Sequence, residues 1–144
     1  MTFNFEFQIT TSKKGHSILK RLSGTDDSED EKNKKGKVKN IKAPFTTMSH
    51  AYLFAFILGL IAGQKIIIKE TGGNFHFSSI QNAAGERYEL RTLLQIFGKP
   101  GDMETKENAR TAIMEYTTWG LLELDKQKFG DNDYRLGEYL NHLS

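Results

Sequence analysis

The sequence predicts a mainly α fold with a small β component, an α+β domain, and three observations carry that expectation. Residues 3–10 alternate apolar and polar side chains, Ala51–Ala62 is an uncharged run of twelve, and later segments repeat apolar residues at intervals of three and four. The 144 residues fit one domain, 1–144, able to bury roughly two-thirds of the surface its unfolded chain exposes. With 38% apolar and 26% charged residues, the expected product is one modest core plus some solvated chain.

Phe3, Phe5, Phe7 and Ile9 alternate with Asn4, Glu6, Gln8 and Thr10, the period of a half-buried strand. Thr11 or Ser12 then offers a cap for a helix whose stripe is Ile18, Leu19 and Leu22, with Gly24 as its stop. Thr25–Asn40 contains a single apolar residue, Val38, and too little to bury to repay the entropy of ordering, so a charged, mobile loop is expected at about 24–41. Thr46 or Thr47 caps the next helix, on which Phe45 packs back, and Gly63 supplies the left-handed residue at its end. Apolar residues surround that helix almost completely, so it needs cover on several sides, and a second subunit is one source.

Ile66–Ile68 and Phe75–Phe77, flanking Gly72-Gly73, read as a short hairpin. Helices are expected over Glu86–Phe97, with Tyr88, Leu90, Leu93, Leu94 and Phe97 inward, and over Glu104–Lys126, with Ala109, Ala112, Ile113, Tyr116, Trp119, Gly120 and Leu124 inward. Asp102, Glu104 and Glu107 read as acids crowding the first turn of the longer helix. A last helix near Tyr134–Leu143 carries Leu136, Leu140 and Leu143.

Several function classes fall away. The absence of cysteine removes thiolate metal sites, redox dithiols and cysteine nucleophiles, and fits a reducing cytoplasm. A bilayer span needs about 20 apolar residues, so the uncharged run reads as a core helix, and no membrane association is expected. Residues 1–8 lack the basic segment and apolar run of a secretory signal. His16, His50, His76 and His142 have no metal-binding helical spacing. Asp26, Ser28 and Asp30 open like a calcium loop, but Glu31 and Lys37 stand where glycine and glutamate are required. There is no phosphate-binding glycine motif and no nucleophile elbow. No enzyme, metal or cofactor is expected.

Nucleic acid and protein partners remain. Residues 1–43 hold ten Lys/Arg against six Asp/Glu, a net +4, whereas residues 44–144 carry ten against twelve, a net −2. Such a segment either serves an anionic partner or keeps the chain soluble. Gly98-Lys99-Pro100-Gly101 has the spacing of a backbone-clamping loop, but the acidic helix after it favours a plain turn. A strand with one polar face followed by two helices looks like a ribbon–helix–helix arrangement. Paired strands of a dimer would then aim Asn4, Gln8 and Thr10 at base edges, while Lys13, Lys14, Lys20 and Arg21 meet phosphates of double-stranded DNA.

Phe45-Thr46-Thr47-Met48-Ser49-His50-Ala51 running into FAFILGLIAGQK, together with Met114–Leu124, is similar to a small accessory family of bacterial Dnd (DNA phosphorothioation) defence systems, over about residues 44–125. The resemblance implies a defence-associated role and carries over no catalytic residues. The expected function is a non-catalytic, cytoplasmic accessory protein, homo-oligomeric and able to contact DNA. The alternative is an adaptor that grips another defence-system subunit through Tyr52, Phe54 and Phe56.

Overall fold

The structure is a computed structural model that describes residues 6–24, 45, 47–85 and 89–126. In chain order the elements are β1 (Gln8–Ser12), α1 (Lys13–Leu22), α2 (Met48–Ala62), β2 (Thr71–His76), α3 (Phe77–Ala84), α4 (Leu90–Phe97) and α5 (Lys106–Lys126). The fold is mainly α, with one two-stranded antiparallel sheet. Asn4, Tyr88, the loop expected beyond Gly24 and the helix expected near Tyr134–Leu143 fall outside the described residues.

Caps set the helix boundaries as local chemistry dictates. The Ser12 hydroxyl accepts from Gly15 N at 2.9 Å, Lys20 and Arg21 lie in the last turn of α1, where its dipole is negative, and Gly24 has φ 72°. The Thr47 hydroxyl accepts from His50 N, Gly63 closes α2 at φ 67°, and Phe45 stacks on Phe54 with ring centroids 5.4 Å apart.

The hairpin does not form. β2 pairs with β1 instead, placing Gln8 opposite His76, Ile9 opposite Phe75, Thr10 opposite Asn74 and Ser12 opposite Thr71. The register shifts between Thr10 and Ser12, so Gly72 and Gly73 together face Thr11, whose hydroxyl accepts from Gly73 N at 3.0 Å. The glycines therefore mark a bulge, not a turn. A Cβ on Gly73 would strike the His16 ring, and one on Gly72 would come within 2.9 Å of Ser12 O. Bare backbone lets the start of α1 lie against this strand. Residues 66–68 form no strand, although Ile66 N donates to Glu115 O, and Phe77 opens α3, an element that the alternation hides.

The core draws on every described element, with Ile9, Ile18, Leu19, Leu22, Ile80, Leu90, Leu94 and Ile113 almost wholly buried and Phe75 of β2 packed against it. α2 and α5 run antiparallel at its centre. Gly59 lies on the Tyr116 backbone and Gly120 on the Ala55 backbone, where a Cβ at either position would overlap a carbonyl. Inward residues on α5 include Thr117, Thr118 and Leu121, whereas Trp119 is half-buried. The two threonines tolerate burial because each hydroxyl donates 2.7 Å to the carbonyl four residues back. Leu93 is only half-buried and Phe97, expected inward, is 54% exposed. No described helix is long and apolar enough to cross a membrane.

Candidate functional site

Two regions bear on function: the polar edge of β1 with α1, and the junction between α4 and α5. On β1, Ile9 and Thr11 turn inward while Gln8 is exposed and Thr10 half-buried. Both edges of this strand are occupied within the protomer. β2 lies along one, and α5 reaches the other, with Arg110 Nε donating to Gln8 O at 2.6 Å and Thr10 N directed at Met114 Sδ, 3.2 Å away. The Thr10 hydroxyl also points to that sulfur. A ribbon shared between two copies needs a free edge on this strand, so the pairing expected from the sequence does not fit the fold; the reason is that residues 102 and 104 positions downstream cover it.

The basic residues of α1 separate into two groups. Lys13 and Lys14 are exposed at its start and join no ion pair among the described residues. Lys20 is half-buried, and the exposed Arg21 is bound to Asp125 through Nη2, which partly cancels its field. Seven residues of helix, about 10 Å, separate Lys13 from Lys20. Asn4 lies outside the described residues.

The aromatic residues expected to grip a partner are placed differently. Tyr52 and Phe56 are fully buried in the protomer's own core, Tyr52 against Phe75 and Phe56 edge-on to Tyr116. Burial pushes the Tyr52 phenol far above its ordinary pKa. Phe54 alone of the three keeps some exposure, beside Phe45. Helical geometry explains this: positions 52 and 56 share the stripe of Ala55 and Gly59 that faces α5.

At the α4–α5 junction one carboxylate organises three segments. Asp102, 5% exposed, accepts from Lys65 Nζ at 2.5 Å, from the Tyr116 hydroxyl at 2.6 Å and from Lys99 N at 2.8 Å. The Lys65 ammonium also lies 4.9 Å from the centre of the Tyr116 ring, a cation–π contact. Burial by itself would raise the Asp102 pKa, but Lys65, Tyr116 and the Lys99 amide outweigh it and hold the carboxyl below its ordinary value. Tyr116 moves the opposite way: burial, then its bond to the Asp102 carboxylate, keeps the phenol protonated. A protonated phenol and a paired ammonium hold a loop in place; they do not supply a nucleophile–base pair. The helix begins at Lys106, so Asp102 lies outside its first turn and only Glu107 occupies the acidic position there.

Beside this knot lies an open cleft of about 530 Å³, lined by Leu94, Gln95, Gly98, Lys99, Pro100, Gly101, Met103 and Glu104. Lys99 N is spent on Asp102, and the carboxylates of Asp102 and Glu104 stand behind and beside the loop, an arrangement that disfavours a phosphate backbone. The plain-turn reading of Gly98–Gly101 fits this geometry better than a clamp. Around the junction, Ile67, Ile96 and Phe97 are 72, 66 and 54% exposed. They lie within three residues of Lys65 or Lys99, both of which bind Asp102, so the knot draws their two segments together. Among the described residues no group of three His, Asp or Glu side chains is placed to hold a metal ion.

Nothing around Asp102 in the sequence signals the knot, because its side-chain partners come from positions 37 residues before and 14 residues after it. The exposed isoleucines were equally hidden, since a short apolar run reads as buried until its neighbours are known. No family model, no curated protein and no solved structure matches this chain.

Proposed function

We propose that the chain is a non-catalytic accessory protein of a bacterial nucleic-acid defence system, and that it works as an adaptor for another protein subunit. The observation that carries this reading is the exposure of Ile67, Ile96 and Phe97 on two segments tied by one buried carboxylate. Large apolar side chains held outward on a braced surface suit a protein partner. The defence setting rests on the resemblance of residues 44–125 to the Dnd-associated accessory family.

The test combines Ile96→Asp with Phe97→Asp and measures affinity for purified subunits of a Dnd defence system. A loss of at least about tenfold, or 1.4 kcal/mol, is expected. Unchanged affinity for all of them removes the adaptor reading.

A second reading, direct contact with double-stranded DNA, is supported by the exposed Lys13 and Lys14, which join no ion pair among the described residues. In this form it needs no ribbon. Here Lys13→Ala combined with Lys14→Ala weakens duplex binding and flattens its salt dependence by about two phosphate contacts. Equal salt slopes for parent and variant exclude it.

A further inference from the structure

β1 has no bare edge, but β2 does. The direction of the peptide groups follows from the register. Phe77 N donates to Phe7 O at 3.0 Å, so Phe7–Phe77 and, two residues on, Ile9–Phe75 are the pairs joined by hydrogen bonds. The pairs between and beyond, Gln8–His76 and Thr10–Asn74, turn their peptide groups away from the partner strand. On β1 this is seen directly, because Gln8 O and Thr10 N reach Arg110 and Met114 of α5. On β2 the corresponding groups are the N–H and C=O of Asn74 and the N–H of His76, and none of the three has a hydrogen-bond partner among the described residues. Thr71, Gly72, Asn74 and His76 are all exposed.

We infer that two copies of this chain join through this edge, β2 against β2 and antiparallel about a two-fold axis at Asn74, so that two ribbons become one sheet ordered β1-β2-β2-β1. Proteins keep an exposed edge from pairing with charge or proline, and Thr71–His76 contains no Asp, Glu, Lys, Arg or Pro. The bulge at Gly72-Gly73 and the start of α3 at Phe77 confine the free edge to a short stretch. Within it Asn74 alone presents both a donor and an acceptor, so an incoming strand has to register on that residue. A second copy that sets its own Asn74 there satisfies both sets of groups at once, the self-complementary contact that a two-fold axis requires. Charge agrees with this choice. The nearest charged residues before the strand, Lys69 and Glu70, fall opposite Ser79 and Ser78 of the second copy in that register, so no charge meets its like.

The test is sedimentation of the full chain over a range of concentrations, where the parent is expected to form a dimer that dissociates on dilution. Asn74→Lys and Asn74→Glu each set like charges against one another across the axis, and each is expected to weaken self-association at least about tenfold. Mixed in equal amounts, the two variants are expected to regain a dimer holding one of each, a rescue that a misfolded variant cannot give. A measurement on the unaltered chain accompanies it: amide hydrogen exchange at Asn74 and His76 should slow as the protein is concentrated. A parent that stays monomeric overturns the inference and leaves the edge to a strand of a different protein. Variants that associate as the parent does, a mixture that stays monomeric, or exchange at Asn74 that ignores concentration each overturn it as well.

Discussion

Single residues at the α2–α5 contact carry unequal burdens despite identical chemistry. Gly59→Ala gains about 1 kcal/mol of helix propensity but forces a methyl into the Tyr116 carbonyl. Overpacking of this kind costs about 1–3 kcal/mol, and the backbone on the far side has little room to yield. Urea unfolding should show a net loss of stability. Gly63→Ala meets nothing, because open space surrounds its Cβ position; its cost is the left-handed backbone at φ 67°, about 1 kcal/mol. Gly63 therefore acts as the left-handed cap that the sequence predicts, and not as a packing point. Asp102 behaves differently again. Its folded pKa lies below the ordinary 3.8, so its stabilisation is present above that value and disappears as pH falls through the lower folded value. Asp102→Asn is expected to cost about 2–3 kcal/mol at neutral pH, with Lys65 losing its counter-charge. The gap between parent and variant should narrow as pH falls below about 4; a gap that does not depend on pH in the acid range would remove the carboxylate from that role.

Elements were readable from sequence in proportion to how local their causes are. α1 and α2 were legible because Ser12, Thr47 and Gly63 act within a turn of the helices they bound. Ser12→Ala should cost about 1 kcal/mol by denaturant titration, with α1 amides exchanging faster than those of α5. An unchanged midpoint would mean the cap bond to Gly15 N contributes nothing. β2 was misread because its glycines answer to α1, some sixty residues earlier, and a Gly-Gly pair alone suggests a turn. α3 was missed because Phe75-His76-Phe77 alternates like a strand, while the helix starting at Phe77 is fixed by Ile80 and Phe77 entering the core. The site follows the same rule. Lys13 and Lys14 are exposed, whereas Tyr52 and Phe56 cannot be told from surface aromatics on a helix apolar all round.

Across the molecule, Tyr52, Tyr116 and Phe56 join α2, α5 and the sheet into one continuous core. The single tryptophan, Trp119, is half-buried on α5. Its fluorescence and far-ultraviolet circular dichroism should therefore report the same urea midpoint; separated transitions would divide the described residues into independent units. The sheet has a further consequence for the newborn chain. β1 is paired with a residue 62 positions later and covered by residues more than 100 later. At a synthesis rate of about 5–20 residues per second, the first strand waits roughly 3–12 seconds for its partner and longer for its cover. Through that interval an extended, apolar-faced strand leaves the ribosome with both sides bare, a sticky template for a neighbouring nascent chain. Slowing translation should aggravate aggregation, and supplying a holdase chaperone should relieve it.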